Sequence, residues 1–362
     1  MKIVRWVAIA VAGLIALIMV GLLAYRAHLQ HQLALQWKIT SPNGVDEAKY
    51  LAIDGAQEWI TIRGQNRSNP VILFLHGGPA EANSPFVGFY LPFEKNYLFV
   101  QWDQPGAGMT YMKGGENQPA PTLDGTVNDG IAVAEYLRNE LHQQKITLIG
   151  QDWGGLVGIR MVEKRPDLFS AFIGTGQIVG MMAGQRWQYQ YALSHATASH
   201  DEKMLTALKQ VGRAPYRTLD RYSDFQTCCR NPFWPADDVA GIRQMEAMLV
   251  ISPSLTISEA RGWYTGLRTN EVKLDTFCLA MPDLRDTDTK FSVPVFFIQG
   301  ADDNVTPTSL VADYEQKIQA RMKRIDVVPD AGHFVMWTHA NSFLLLLQAD
   351  LRLVQATSSS AN

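Results

Sequence analysis

Asp152 stands in the run Gly150-Gln151-Asp152-Trp153-Gly154, directly after an aliphatic, β-branched stretch ending at Ile149 and before a helical pattern. A residue held between glycines at a strand-to-helix turn sits on a tight elbow that projects its side chain into the open crevice. A carboxylate at that place is a candidate nucleophile. Three further segments fall at the ends of predicted strands, where an open α/β sheet gathers its ligands. His76-Gly77-Gly78-Pro79 follows a strand ending at Leu75, and its small residues leave backbone N–H groups free to face an oxyanion. Gly300 to Pro307 carries the pair Asp302 and Asp303, and Gly332-His333-Phe334 follows the last predicted strand. Each segment alone has a plainer explanation. A Gly-x-Asp-x-Gly turn is most often only a turn, and a double Asp before Pro is usually a loop with Asx-turn character. Four such elements at strand ends, in the chain order nucleophile, acid, histidine, point instead to one reacting centre.

The elements that must position these residues are legible as short apolar runs. Val71–Leu75, Tyr97–Trp102, Ile146–Ile149, Pro294–Ile298 and Ile325–Val328 read as buried strands, with two more near Trp59–Arg63 and Ala171–Gly174. Continuous rather than alternating apolar runs suit a parallel sheet covered on both faces. Helical patterns lie between them at Asp124–His142, Gly155–Arg165, Thr308–Arg321 and Ala340–Val354. Strand–helix alternation predicts a doubly wound, mostly parallel α/β sheet. Residues 179–290 break the alternation with helical periodicity, and are expected to form a helical cap inserted between core parts 41–178 and 291–362. Asp103, at another strand end, is expected to organise the glycine loop of residues 103–108.

The N-terminus carries an unbroken apolar run from Trp6 to Tyr25, long enough to cross a bilayer as a helix. Lys2 and Arg5 precede it and Arg26 follows it, with aromatic residues at both ends. That pattern predicts an uncleaved single-pass transmembrane helix with the catalytic domain on the extracytoplasmic side. A cleaved signal is the alternative, but Ala24-Tyr25-Arg26 is a poor small-residue cleavage site. Residues 1–40 are therefore read as membrane anchor and stalk.

From about Pro42 to Leu353 the chain resembles the α/β-hydrolase superfamily, and within it the proline-iminopeptidase-like branch. The likeness rests on His76-Gly77-Gly78-Pro79, Trp102-Asp103-Gln104-Pro105-Gly106-Ala107-Gly108, Gly300-Ala301-Asp302-Asp303 and Ala331-Gly332-His333-Phe334. That branch carries Ser at the elbow and Arg where Pro105 stands. Asp152-Trp153-Gly154-Gly155 is instead similar to the elbow of epoxide hydrolases and haloalkane dehalogenases. The resemblance implies a triad of Asp152, His333 and Asp303, with Pro307 four residues after the acid. It also implies an oxyanion hole from the backbone N–H groups of Gly78 and Trp153.

An aspartate changes the reaction such a site performs. Attack on an amide would form a mixed anhydride while expelling an amine, which is uphill. Attack on an sp³ carbon bearing a leaving group gives a stable alkyl ester, which a water activated by His333 then hydrolyses. Two leaving groups are considered. A halide needs donors such as the Trp153 indole, with Trp187, Trp234 or Trp263 as a second. An epoxide needs a proton donor, for which the cap tyrosines Tyr264 and Tyr191 are chosen. The sequence thus predicts an epoxide hydrolase acting on a hydrophobic small molecule. The alternatives are a haloalkane dehalogenase, a peptidase or esterase whose Ser has become Asp, and a non-catalytic membrane-tethered binding protein.

The formal charge of −3 over 362 residues gives no electrostatic footprint for nucleic acid. His28, His31, His195 and His200 lack regular pairing with Cys or carboxylates at ligand spacing and no glycine loop has phosphate-binding spacing, so neither a metal nor a cofactor is expected. Of the three cysteines, Cys228 and Cys229 are adjacent, which disfavours a bridge between them. A pairing of either with Cys278 is left open.

Overall fold

The computed structural model describes residues 2–115 and 120–359. Among them an eight-stranded sheet has the order β1-β2-β4-β3-β5-β6-β7-β8. The strands are β1 Val45–Ile53, β2 Ala56–Gly64, β3 Val71–Leu75, β4 Leu98–Asp103, β5 Ile146–Gln151, β6 Phe169–Thr175, β7 Val295–Gly300 and β8 Lys323–Val328. β1 and β2 form an antiparallel hairpin and β2 pairs antiparallel with β4, whereas every pairing from β4 through β8 is parallel. This is the expected mostly parallel sheet.

Before the sheet runs α1 (Lys2–Gln36). The core helices are α2 (Val87–Glu94), α3 (Gly108–Gly114), α4 (Leu123–Glu140) and α5 (Trp153–Lys164). Between β6 and β7 come α6 (Met181–Ala198), α7 (Glu202–Val211), α8 (Leu219–Cys229), α9 (Ala236–Ile251), α10 (Ile257–Ala280) and α11 (Leu284–Thr287). After them stand α12 (Thr308–Lys317), α13 (Val335–Thr338) and α14 (Ala340–Ser359).

Alternation along β3 explains how one strand serves two cores. Val71, Leu73 and Leu75 join Val127, Ile131, Leu156 and Ile159 on the face covered by α4 and α5. Ile72 and Phe74 join Phe89, Tyr90, Phe93, Phe343 and Leu347 on the face covered by α2 and α14. Phe343, Leu347 and Leu351 are spaced one helical turn apart and all are buried, so the apolar stretch of α14 is core packing. The insertion builds a third core of its own from Tyr189, Ala192, Leu208, Phe225 and Phe233.

Three features differ from expectation. β1 has no counterpart among the expected strands, because Glu47 and Lys49 interrupt its apolar pattern, as suits an edge strand. Residues 27–36 are not a separate stalk but the continuation of α1, whose side turned to the protein is partly buried at Arg26, Leu29, Gln30 and Leu33. Finally, Cys228 and Cys229 are joined to each other where α8 ends; the side chain of Cys278 lies outside the described residues.

Glu58 on β2 is buried with its Oε2 accepting a 2.7 Å hydrogen bond from the Trp102 indole. Burial, together with the charge of Asp129, pushes its carboxyl up to about 8. The folded state therefore holds a proton that the unfolded chain releases between about pH 4.5 and 8, and stability falls as pH rises through that window. Glu58→Gln keeps an acceptor for Trp102 and removes the ionisation. The expected result is a higher melting temperature than the parent at pH 8, with no gain at pH 5, read by thermal unfolding at both values.

Candidate active site

Asp152 follows β5 with φ 52° and ψ −116°, a left-handed conformation costing a non-glycine residue about 1–3 kcal/mol. The neighbouring glycines are what allow this turn. A Cβ on Gly154 would lie 2.1 Å from the Leu75 carbonyl oxygen, and one on Gly150 would lie 2.4 Å from the Gly154 carbonyl oxygen. Gly154 thus allows α5 to approach β3, and Gly150 allows the chain to fold α5 back against β5, with Asp152 Oδ1 reaching the loop after β3.

The two carboxylate oxygens of Asp152 have different surroundings. Oδ1 accepts from the backbone N–H of Trp153 at 2.6 Å and of Gly78 at 3.3 Å. Oδ2 lies 3.6 Å from His333 Nε2, beyond hydrogen-bond reach. On the other edge of the imidazole, Nδ1 is 3.1 and 3.2 Å from the two carboxylate oxygens of Asp303. Asp303 is held by the N–H groups of Val305 and Thr306, at 3.0 and 2.8 Å, and by the Thr306 hydroxyl at 2.8 Å. Asp302 is exposed, so the structure places the second aspartate of the pair against the histidine. Asp152, His333, Asp303, Gly78 and Trp153 therefore meet at one place.

Burial raises the carboxyl of Asp152, opposed by the charge of His333 and the two N–H donors. Burial works against the charged form of His333, but Asp303, Asp152 and Asp238 outweigh it and hold the imidazole up at about 9. The imidazole of the free site is therefore held in its charged form at neutral pH.

Two participants escape sequence reasoning. Asp238, in the first turn of α9, is fully buried. Its Oδ2 accepts from the N–H of His333 at 2.7 Å and its Oδ1 from that of Phe334 at 3.0 Å. Nothing local distinguishes it from exposed Asp237 beside it. The second is Glu81, three residues after Gly78. Its carboxyl is pushed up to about 7 by burial and by the charge of Asp152, and that carboxyl has no hydrogen-bond or ion-pair partner among the described residues. The glycines of the loop after β3 draw attention in the sequence, whereas Glu81 reads there as an ordinary charged loop residue.

Other chosen residues fall elsewhere. Tyr264 is 56% exposed on the outer face of α10, so its selection as proton donor is corrected: helical phase turns it to solvent while its neighbour Trp263 faces inward. Tyr191 stacks on Trp187 with ring centroids 5.0 Å apart, and its hydroxyl accepts from Asn304 at 3.4 Å, beside the acid. The Trp153 indole N–H donates at 2.9 Å to the side-chain oxygen of Gln104. Gln104 in turn donates to the His76 carbonyl oxygen through its side chain, and to His76 Nε2 through its backbone. Burial keeps His76 down at about 4, neutral and structural. The Trp263 indole donates to the Ala82 carbonyl oxygen, and Trp234 meets the His333 ring edge-on at 6.1 Å. Asp103 accepts from Met109 N–H and from the Ser84 hydroxyl, both at 2.9 Å, closing the glycine loop.

Residues 70–340 match the family model described as the alpha/beta hydrolase fold. The probable aminopeptidase YbaC of Bacillus subtilis (strain 168) is 26% identical over 301 residues, which are 79% of this chain and 90% of that one. Among solved structures, a proline iminopeptidase-related protein from Thermus thermophilus superposes with TM-score 0.58 at 17% identity, over 86% of this chain and 98% of its own. A membrane phospholipase A superposes with TM-score 0.57 at 16% identity, over 95% of this chain and 98% of its own.

Proposed function

The chain belongs to the α/β-hydrolase fold family, and on that premise we propose that it is a membrane-anchored hydrolase that attacks an sp³ carbon with Asp152 and passes through an alkyl ester. The observation that carries this is the division of labour within one carboxylate. Oδ1 occupies the two backbone donors, where the oxyanion of a tetrahedral intermediate on the Asp152 carboxyl carbon would need stabilising. Oδ2, on the His333 side, is the nucleophile. A serine enzyme of this fold keeps those donors for the substrate's carbonyl; here they serve the enzyme's own carboxyl group.

Alkylation explains how a histidine charged in the free site becomes a base. Esterification removes the negative charge of Asp152, one of the carboxylates that raise His333. The imidazole pKa falls, and Nε2 can take a proton from the attacking water while Asp303 orients Nδ1.

Between the two leaving groups the indole geometry favours an epoxide. With its N–H spent on Gln104, Trp153 is not a halide donor. An opening epoxide needs a proton on its oxygen, and Glu81, whose carboxyl burial and the charge of Asp152 push up to about 7, or Tyr191 can deliver it. α1 is long and apolar enough to cross a membrane, and its basic flank favours an extracytoplasmic hydrolase domain.

Single turnover of an epoxide in H₂¹⁸O, followed by mass analysis of the peptide carrying Asp152, tests the reaction. Attack of water on the ester carbonyl carbon leaves heavy oxygen in the Asp152 carboxyl and ordinary oxygen in the first diol released. Heavy oxygen found only in the diol means direct hydration, and overturns the covalent route.

A further inference from the structure

We propose that the outer corner of the insertion, where α9 ends and α10 begins, rests in the headgroup layer of the bilayer crossed by α1, so that the candidate site draws on substrates dissolved in that bilayer. The inference rests on the reading of α1 as a membrane span, and it names the substrate class.

The depth of this corner is set by the anchor itself. Residues 3–25 of α1 are exposed along their whole length, and contact with the rest of the protein starts at Arg26, directly after the apolar run. The Arg26 guanidinium donates at 2.7 Å to the carbonyl oxygens of both Val250 and Leu255. Gln30, one turn further, donates to Ser252 and Leu255 carbonyl oxygens at 2.7 and 3.0 Å. Ser252 is buried and its hydroxyl donates to the Pro85 carbonyl oxygen, tying the corner to the core. The anchor is thus bonded to the corner without a flexible linker. Arg26 marks the end of a span about 30 Å long, the thickness of the hydrocarbon core, so Val250 and Leu255 stand at the membrane–water boundary.

What the corner shows to that boundary suits lipid. Val250 and Ile257 are 59% and 56% exposed. Along α10, Ile257, Arg261, Tyr264 and Arg268 follow one another at one-turn spacing and all are exposed. Apolar, aromatic and basic side chains on one stripe are the composition of a headgroup-level surface. On α9 the same outward side carries Arg243 and Glu246 further from the corner, as a polar flank. The opposite side of α10 faces the site: Trp263 bonds the Ala82 carbonyl oxygen, next to Glu81, and Asn270 bonds that of Gly106. A single helix, roughly 10 Å thick, therefore separates the stripe from the acid beside Asp152. The exposed Tyr264, misplaced as a proton donor, has its place on this face.

The test uses the full chain reconstituted in phosphatidylcholine–phosphatidylglycerol vesicles containing two diazirine phospholipids, one reactive in the acyl core and one at the headgroup. Adducts are mapped by peptide mass spectrometry. The expected result is acyl-core labelling within residues 6–25 and headgroup labelling of peptides spanning 246–264, several-fold above that of the exposed apolar Leu345 on α14. Val250→Glu with Ile257→Glu should bring the 246–264 signal down to the Leu345 level while labelling of α1 persists. Acyl-core labelling of α1 with none in 246–264 overturns the inference and leaves the span intact. Absence of labelling in α1 overturns the span itself. Cross-links joining two copies through the stripe, in place of lipid adducts, assign the face to self-association and also overturn the proposal.

Discussion

His333→Gln is expected to stop the reaction half-way, with the protein accumulating as an ester of Asp152 whose mass exceeds the free chain by that of one epoxide. The first step needs an ionised Asp152 and a proton for the leaving oxygen. His333 Nε2 at 3.6 Å takes no proton in it, but its charge helps keep Asp152 ionised. Alkylation in the variant should therefore survive with its pH limb moved upward. The second step loses its base, and general-base catalysis is worth about 10²–10⁴-fold. Ester hydrolysis should slow by that factor while the burst of alkylation survives. Gln retains much of the imidazole volume and a polar tip beside Asp303, so the buried site is not emptied.

The parent enzyme should show a matching pH dependence. As pH falls through the raised pKa of Asp152 the nucleophile is protonated and alkylation slows. Hydrolysis of the ester should quicken as pH rises through the pKa of His333, which lies below its free-site value of about 9 once Asp152 is neutral. Rapid-quench kinetics followed by intact mass separates the two limbs. No adduct from any epoxide, together with ester or aminoacyl turnover restored by Asp152→Ser, would falsify the alkyl-ester route in favour of a serine hydrolase that carries aspartate. Failure of both leaves the binding-protein alternative standing.

Asp238→Ala carries the second large effect. The substitution removes the acceptor for two buried backbone N–H groups, those of His333 and Phe334. Each orphaned buried donor costs about 1–3 kcal/mol, so a loss of roughly 2–6 kcal/mol in unfolding free energy is expected by denaturant titration. Activity should fall further than stability, because the loop that carries the candidate base loses its tie to α9.

Asp238→Asn separates the two consequences. It keeps one acceptor oxygen and deletes the negative charge, so the loop stays partly held while one of the carboxylates raising His333 disappears. One of the two backbone N–H groups then faces an amide NH2 and is orphaned, so about half the stability loss of the Ala variant is expected, while the pH limb for ester hydrolysis should move to lower pH. An Asn variant whose pH profile matches the parent would show that Asp238 acts only as a brace.

The residues that meet at the site differ in how far they could be read from the chain alone. Asp152, Gly78 and His333 each lie next to or close to glycine just after an apolar strand, and strand ends in a parallel sheet face one crevice. Their convergence is therefore a local property repeated several times along the chain. The choice of Asp303 over Asp302 needed family spacing, and burial of the one and exposure of the other agree with it. Asp238 had no comparable signal. It lies 95 residues from its partner His333, in a helical insertion whose docking onto the sheet no periodicity describes.

The amino-acid sequence by itself determined the alternation of buried strands and helices, the elbow at Asp152, the order of acid and histidine, and an apolar run of membrane-spanning length. These are set by side-chain periodicity, glycine at tight turns and local hydrophobicity, all of which act within a few residues. Only the tertiary structure decided which way each side chain faces across the insertion. It turned the Trp153 indole to Gln104 and Tyr264 to the outside, and it joined Arg26 of α1 to the end of α9. Those outcomes depend on the packing of separate helices against one another and against the sheet. That packing is a sum of many weak, distant contacts, which no short window of sequence contains.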